Sequence, residues 1–370
     1  MEQKEVNKIS SLLVPCVQEL AKESMTAIPA RYIRPHQDQP MISDAIHSQT
    51  PQVPVIDMHK LLSLDSMDSE LDSLHFACKE WGFFQLVNHG VSSLLVEKMK
   101  IETQDFFDLP MEEKKIYWQY PGEVEGFGQN FVASEEQKLD WGDLFVLTTQ
   151  PIHLRKPHLF PKLPLPIRST LDAYSSELKD LAIAITAKIA KALKMELGEM
   201  REFFDDGMQM VRMNYYPPCP QPEKVIGLSP HADGSGLTIL LQVNEVEGLQ
   251  IRKDGMWMPV KPLPNAFIVN IGDMMEMITN GAYRSIEHRA TVNSLKARLS
   301  IATFYMTRYE GEVGPASSLI TQHTPALFKR VTVKEYLRGL FARELDGKSY
   351  LDTLRIRRVE HQDESNLAIK

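Results

Sequence analysis

The order of apolar and polar positions predicts helix and strand elements from the start of the chain. Apolar residues recur at helical spacing over 17–27, and a polar, proline-bearing stretch over 35–54 has no pattern that would pack. We expect a loosely packed arm there. Residues 53–58 predict a strand, 66–80 have helical spacing, and the aromatic run 81–90 predicts a second strand.

The middle of the chain is helical, and the part after Phe204 is rich in short strands. Residues 94–115 and 165–197 have helical spacing, and the second stretch carries an apolar stripe that predicts core packing. After Phe204, short β-rich runs alternate with glycine, proline and asparagine turns, which favours a sandwich or barrel. Residues 331–343 are again helical in pattern and would close one end of that barrel.

The whole pattern predicts a mainly β protein with flanking helices. We expect five regions along the chain: an N-terminal arm with a helix (1–50), an N-terminal α/β region (51–160), long supporting helices (161–205), a β-rich core (206–310), and a C-terminal helix with a polar tail (311–370).

Composition narrows the classes of partner. The chain has 370 residues, 43% of them hydrophobic and 24% charged, which is enough for a substantial core. A formal charge of -8 gives no basic excess, so nucleic acid and anionic membranes are poor partners and a small molecule is expected. No run approaches the roughly 18 apolar residues of a membrane helix.

The three cysteines, Cys16, Cys78 and Cys219, are too far apart for a disulfide framework or a zinc site. No segment resembles an export signal. We therefore expect a cytoplasmic protein, and a monomer as the default state.

The spacing His-x-Asp occurs three times. The pairs at 36 and 38 and at 361 and 363 fall in polar stretches, where nothing would orient a metal. His231 and Asp233 instead lie between β-rich runs, where a two-residue spacing puts both side chains on one face. This pair fits either two iron ligands or a hydrogen-bonded pair at a strand end.

Downstream residues favour the metal interpretation. His288 follows in a run that alternates as a strand, and two imidazoles with one carboxylate are the ligands of non-haem Fe(II) oxygenases. Arg298 comes ten residues after His288, and its planar fork suits the distal carboxylate of a dicarboxylic cosubstrate. Ser300 would add a hydroxyl on the same strand face.

Asn214 and Tyr216, again two residues apart, precede the first ligand pair. A tyrosine in a strand is usually a packing residue. Joined to the downstream set, its phenol would contact the cosubstrate carboxylate, and Asn214 would contact the inner end of the cosubstrate.

The strings NYYPPCP, HAD, GLQI, VNIGD, TNGAYRSIEHR and RLSIATF resemble, in order and spacing, the plant 2-oxoglutarate-dependent dioxygenases. The resemblance covers roughly residues 51–355, including VPVIDM and ACKEWGFFQLVNHGV upstream. The strings DWGDLF, NEVEGLQI and LDGKSYLDTLRI look most similar to the branch that contains the opium-poppy codeine and thebaine O-demethylases and senescence-related relatives.

The resemblance implies a double-stranded β-helix, related to jelly rolls and cupins, with the catalytic core at 206–310. It implies Fe(II) on His231, Asp233 and His288 and 2-oxoglutarate near Arg298, with Ser300, Tyr216 and Asn214 beside it. Dioxygen would be the oxidant and ascorbate a supporting reductant. The expected reaction is hydroxylation or O-demethylation of a small apolar plant metabolite such as an alkaloid, flavonoid, coumarin or terpenoid, with release of succinate and carbon dioxide.

Substrate choice is expected to come from side chains at the barrel mouth, because apolar walls with few polar anchors hold such ligands. The candidates are Phe304, Leu144, Val146, Ser235 and Phe341. Each of them also fits plain core packing.

Two other functions remain open from the sequence. An oxidase of the aminocyclopropane-carboxylate type shares the iron triad and an Arg-x-Ser but works without oxoglutarate. A non-oxidative ligand-binding jelly roll would keep the triad only as a relic.

Overall fold

The computed structural model of the protein describes residues 11–23, 27–35 and 52–357. The α-helices in these ranges are α1 (Val17–Lys22), α2 (Met58–Leu62), α3 (Met67–Phe76), α4 (Ser93–Asp108), α5 (Met111–Lys114), α6 (Leu165–Ala192), α7 (Leu197–Phe204), α8 (Asp273–Ile278), α9 (Val333–Phe341) and α10 (Ser349–Thr353).

Most of the strands follow α7, as the sequence pattern predicts. They are β1 (Val55–Asp57), β2 (Phe83–Val87), β3 (Gly126–Gly128), β4 (Asp143–Gln150), β5 (Gln209–Tyr216), β6 (Leu228–His231), β7 (Leu237–Gln242), β8 (Leu249–Lys253), β9 (Met256–Pro259), β10 (Phe267–Ile271), β11 (His288–Ala290), β12 (Arg298–Tyr305), β13 (Glu312–Val313) and β14 (Val331–Thr332).

Two sheets form the core of the molecule. The major sheet has eight strands in the order β1-β2-β10-β7-β12-β5-β4-β3, and the minor sheet has four in the order β6-β11-β8-β9. Neighbouring strands in this order are mostly distant in sequence, as in a jelly-roll-type double-stranded β-helix. The predicted fold class is confirmed, with β1 to β4 adding strands from the N-terminal region to the major sheet.

Helix α6 supports the major sheet from outside. Its apolar stripe is buried along the whole helix, from Ile167 to Ile189, and the helix contacts β4, β5, β7 and β12. Burial of this stripe holds the back of the sheet that carries Arg298 on its other face. Within the described ranges, no helix combines the length and the apolar character that a membrane span requires.

Local chemistry explains where several helices begin and end. The helical pattern over 94–115 is divided in two, because Pro110 precedes the short helix α5 and its ring is incompatible with a continuous helix. At α9 the Thr332 hydroxyl accepts from the Glu335 backbone N–H and the Glu335 carboxylate accepts from that of Thr332, a complete capping box. The predicted C-terminal helix therefore has a fixed start.

Most of the polar stretch over 35–54, for which a loosely packed arm is predicted, lies outside the described residues, whereas 11–23 and 27–35 before it pack against the fold. The buried Asp143 carboxylate accepts hydrogen bonds from the backbone N–H groups of Val17 and Gln18, at 3.0 and 2.7 Å, and so holds the first turn of α1. Val17 and Tyr32 are buried in a cluster with Trp141 and other apolar residues. A few apolar anchors and one buried carboxylate are enough to make this docking.

Helix α8 was not anticipated from the sequence. Its six residues, DMMEMI, are all buried, so they show no alternation of apolar and polar faces. Its second carboxylate, Glu276, is bound by Lys348 at 2.5 Å and by Arg355 at 2.6 Å. These ion pairs attach the segment after α9 to the core, where Gly347 also pairs with the strand that carries His231.

Candidate active site

Three potential metal ligands meet between the two sheets. His231 ends β6 and His288 begins β11, and the two residues are direct partners in the antiparallel register of these strands. Asp233 follows β6 by two residues. Its Oδ1 lies 3.5 Å from Nε2 of His231 and 3.6 Å from Nε2 of His288. Strand pairing thus brings together residues that are far apart in sequence.

Both imidazoles are oriented in the same way. Nδ1 of His231 lies 2.8 Å from the carbonyl oxygen of Ser229, and Nδ1 of His288 lies 3.2 Å from that of Ile286. A backbone carbonyl at Nδ1 fixes the proton on that nitrogen and leaves Nε2 as a free lone pair. The two Nε2 atoms and Oδ1 of Asp233 therefore face the same space.

The carboxylate of Asp233 is held by two polar side chains that the sequence did not single out. Its Oδ2 accepts a hydrogen bond from the Thr238 hydroxyl at 2.6 Å and another from the Asn270 amide at 2.8 Å. Both residues lie on strands of the major sheet, where they are buried polar residues within apolar runs. Such interruptions are the only sequence signal that points to them.

Electrostatics keeps the ligands in the forms that bind a metal. Burial, together with the neighbouring His231, lowers the pKa of His288 to about 4. Burial alone would raise the pKa of Asp233, but the neighbouring His288 and His231 and the hydrogen bond from Thr238 bring it below the ordinary value. At neutral pH a neutral imidazole and an ionised carboxylate therefore face the site.

This donor set fits Fe(II). The three ligand atoms all lie within 4.8 Å of one another, and all three residues are buried. Two imidazoles and one carboxylate on one side of a metal leave other positions open, which is the arrangement of non-haem Fe(II) oxygenases. The two other His-x-Asp pairs, at 36 and 38 and at 361 and 363, lie outside the described residues.

The predicted cosubstrate residues lie on two adjacent strands of the major sheet. In the register of β5 and β12, Arg298 is opposite Tyr216 and Ser300 is opposite Asn214. The Arg298 guanidinium lies 5.4 Å from the centre of the Tyr216 ring, and the Asn214 amide is 3.4 Å from the Ser300 hydroxyl. All four side chains line a cavity of about 480 Å³ that also contains the three metal ligands.

At this end of the cavity, Arg298 and Asn214 each have a buried polar atom without a hydrogen-bond partner. Arg298 is 2% exposed and donates to Gln242 Oε1 at 2.9 Å, yet its Nε–H has no acceptor. Oδ1 of Asn214 is also buried without a donor. A buried guanidinium with free donors suits a carboxylate ligand, because charge-assisted paired bonds would satisfy it. Gln242, which orients Arg298, is a further residue that sequence reasoning missed.

A second, largely apolar cavity of about 630 Å³ adjoins the metal ligands. Of the predicted substrate residues, Val146, Ser235, Phe304 and Phe341 line it. The helix α9 supplies one wall through Phe341, whose ring stacks 5.5 Å from that of Phe131. Its mostly apolar walls with a few polar groups are of the kind that hold a small organic ligand.

The expectation that Leu144 lines the pocket is corrected. Leu144 is 5% exposed and belongs to the main apolar core, and it lines neither cavity. At that level of the sheet its register partner Asn214 lines the cavity of the metal and cosubstrate residues. Alternation along β4 gives the face of a residue but not its depth.

Comparison with known proteins identifies the chain. Residues 207–307 match the 2OG-Fe(II) oxygenase superfamily, and residues 53–163 match the N-terminal domain family described as non-haem dioxygenase in morphine synthesis. The protein belongs to the 2OG-Fe(II) oxygenase superfamily. It is a 2-oxoglutarate-dependent dioxygenase, and the residues described above fit its iron and its cosubstrate.

Relatives from plants extend over nearly the whole oxygenase. Protein SRG1 of Arabidopsis thaliana is 61% identical over 96% of this chain and 100% of its own. The oxoglutarate-dependent flavonoid 7-O-demethylase 1 of Ocimum basilicum is 57% identical over 94% and 92%. Codeine O-demethylase of Papaver somniferum is 54% identical over 94% and 97%. The resemblance to this branch is confirmed.

A solved structure confirms the fold. The crystal structure of JOX2 in complex with 2OG, Fe and JA superposes with a TM-score of 0.85 at 35% identity, covering 93% of this chain and 98% of JOX2. Together with the family match, this supports an oxygenase over the non-oxidative ligand-binding jelly roll with a relic triad.

Proposed function

We propose that this oxygenase hydroxylates a small, largely apolar plant metabolite, and that its characteristic reaction is oxidative removal of a methyl group from an aromatic methyl ether. The observation that carries the proposal is the apolar cavity that opens directly onto His231 and Asp233. The O-demethylase relatives that share more than half of its residues support the choice of methyl ethers.

Each group of residues has a separate task. His231, Asp233 and His288 would hold the iron, and Thr238 and Asn270 keep the carboxylate in place. Arg298 and Ser300 would bind the distal carboxylate of 2-oxoglutarate, with Tyr216 and Asn214 beside them. When bound, Fe(II), 2-oxoglutarate and dioxygen supply the oxidising power, and the cosubstrate leaves as succinate and carbon dioxide.

The substrate carbon changes in a balanced way. Replacement of one C–H bond of a methoxy group by C–OH gives a hemiacetal, which breaks its other C–O bond to release formaldehyde and a phenol. One oxygen atom of dioxygen enters the substrate and the other enters succinate. Val146, Phe304 and Phe341 would hold the ring system and exclude water, which directs the oxidation to the bound molecule.

The described residues that line the two cavities include no second carboxylate that could act as a general acid or base. Asp233 is their sole carboxylate, and both of its oxygens are already used. The protein therefore contributes binding, orientation and exclusion of water, and no nucleophile of its own.

The test is a turnover assay with the purified protein, Fe(II), ascorbate and 2-oxoglutarate against methoxylated flavonoids, alkaloids and coumarins. The proposal predicts succinate and formaldehyde in equal amounts, with a product that has lost CH2. His288→Ala should abolish both products, and His89→Ala, at a half-buried histidine against Phe267 outside the site, should leave them unchanged.

Three outcomes of this assay would separate the alternatives. Turnover that does not need oxoglutarate would indicate an oxidase of the aminocyclopropane-carboxylate type. Substrate-stimulated succinate with a product that gains one oxygen would indicate hydroxylation without demethylation. Full activity of His288→Ala would contradict the assigned metal site.

A further inference from the structure

A buried arginine lies where the two cavities meet. Arg212 on β5 is 8% exposed and lines both the apolar cavity and the cavity of the metal and cosubstrate residues. Its neighbours on the same face of β5 divide between the two: Met210 lines the apolar cavity, and Asn214 lines the other. Arg212 is therefore placed between the expected positions of substrate and cosubstrate.

Within the described residues the arginine has no hydrogen-bond or ion-pair partner, and its charge acts on the nearby Tyr216 and His288. Its Nε–H is buried without an acceptor, and over the described ranges 11–23, 27–35 and 52–357 no side-chain hydrogen bond or ion pair involves Arg212. By contrast, Arg298 donates to Gln242, and Arg289 donates to Gln250 and stacks over the Trp257 ring. Buried charges are normally paired, so an unpaired guanidinium in a cavity indicates a missing ligand.

Charge balance points to the sign of that ligand. When Fe(II) and doubly ionised 2-oxoglutarate are bound, the charge of the metal cancels that of the cosubstrate. The negative charge of Asp233 likewise cancels the positive charge of Arg298, so these four groups sum to zero. Arg212 then leaves one positive charge at the cavity junction. No carboxylate other than Asp233 lines either cavity in the described part of the chain. An anionic group on the substrate would neutralise it.

The sheet register leaves space for this group. Arg212 is opposite Ala302 on β12 and opposite Val146 on β4. Ala302 has the smallest side chain with a Cβ, and it separates Ser300 at the cosubstrate end from Phe304 at the substrate end of the same face. A substrate oxygen can thus approach the guanidinium without displacing the groups that contact oxoglutarate.

We propose that Arg212 is a substrate anchor that selects methoxylated aromatic molecules carrying an anionic oxygen, a carboxylate or an acidic phenol. This inference rests on the proposed function and specifies its substrate class. The anchor fixes one end of the ring system, so that a methoxy group elsewhere on the molecule is held at the metal.

Binding of three ring-matched probes tests the proposal without turnover. The probes are methoxynaphthalene, its carboxylate derivative and its phenol derivative, titrated anaerobically by calorimetry into protein loaded with Fe(II) and 2-oxoglutarate. Charge-assisted bonds to a guanidinium predict that the carboxylate binds about tenfold to a hundredfold more tightly than the parent. The phenol arm, measured below and above its own pKa, distinguishes phenolate from carboxylate recognition.

Arg212→Met and Arg212→Lys divide the effect into charge and geometry. In Arg212→Met the preference for the anionic probes should vanish, while affinity for the parent and for 2-oxoglutarate is retained. Arg212→Lys should keep part of the preference, since it keeps the charge but loses the planar fork. Arg298→Met serves as the matched control. It should weaken the binding of 2-oxoglutarate and leave the order of affinities of the three probes unchanged.

A structural role would give a different result. If Arg212 only supported the fold, Arg212→Met would lower the melting temperature; removal of an unpaired buried charge should instead leave it equal or higher. Equal binding of all three probes, including no binding by any of them, overturns the proposal. The proposal is also overturned if Arg212→Met weakens the binding of 2-oxoglutarate alone and leaves the binding of the probes unchanged. Failure of the proposed oxygenase reaction would appear separately, as absent succinate formation with bound substrate.

Discussion

Removing the hydroxyl that holds the iron-binding carboxylate should weaken iron binding without unfolding the protein. Thr238→Val deletes the 2.6 Å hydrogen bond to Oδ2 of Asp233 and keeps the branched shape of the side chain. The Asn270 bond at 2.8 Å remains, so that the carboxylate keeps one of its two orienting partners. We therefore expect a weaker site that still binds.

The size of the effect follows from the kind of bond. A hydrogen bond to a charged acceptor contributes about 1.5–3 kcal/mol, and loss of a group that orients a metal ligand typically costs about 10-fold to 100-fold in metal affinity. Since Asn270 is retained, the Kd for Fe(II) should rise by about tenfold. The double variant with Asn270→Leu should lose more than the product of the two single effects, because Oδ2 would then be buried without a donor.

The assay is anaerobic titration of the metal-free protein with Fe(II), with Co(II) as a spectroscopic substitute. Thr149→Val is the matched control, since it also removes a buried threonine hydroxyl bond, 2.7 Å to Gln209, on a strand away from the metal. The control should lose stability and keep its iron affinity. Equal Kd values for wild type and Thr238→Val would refute the assigned role of Thr238.

Three further predictions concern the cosubstrate, the pocket and the N-terminal arm. Arg298→Lys should raise the Kd for 2-oxoglutarate by about tenfold or more and leave that for Fe(II) unchanged, as calorimetry would show. Phe341→Ala should raise the KM for substrate and not that for 2-oxoglutarate, since it removes a cavity wall; equal changes in both would contradict this. Burial raises the pKa of Asp143 to about 6, so the folded state holds this proton more tightly. Its stabilising contribution is present below about pH 4 and lost as the pH rises through about 6, and urea titrations should show the wild type losing up to about 3 kcal/mol relative to Asp143→Asn over that range.

Much of the site was predictable from sequence because strand geometry is regular. A two-residue spacing puts His231 beside Asp233, and the same rule puts Arg298 beside Ser300. Local spacing does not show which strands pair across the barrel. That His288 and Tyr216 belong to the same site was inferred from the order of the family motifs. Residues whose chemistry and neighbours both follow from local spacing were therefore found.

The residues that were missed act through contacts between strands distant in sequence. Thr238, Asn270 and Gln242 are ordinary strand residues until folding brings them to Asp233 and Arg298. Arg212 was visible as a charge in a β-rich run, but only the structure shows that nothing in the described ranges pairs with it. Leu144 was placed wrongly because spacing along a strand does not give depth from the cavity.

The N-terminal arm illustrates a different limit. The apolar spacing over 17–27 predicts a helix but not what the helix packs against. Asp143 binds the start of α1, and Tyr32 packs edge-on against Trp141 with ring centres 5.2 Å apart. The partners of this segment lie more than a hundred residues away in the chain. A hydrophobic pattern within the arm could not reveal them.

The most direct test of the account is turnover of a methoxylated aromatic acid under labelled dioxygen, with the methyl group deuterated. The account predicts one labelled oxygen atom in each succinate, deuterated formaldehyde in equal amount, and loss of both products in His288→Ala. Succinate without label, or formaldehyde that forms without 2-oxoglutarate, would contradict the central claim that the His231, Asp233, His288 and Arg298 site is a demethylating oxygenase.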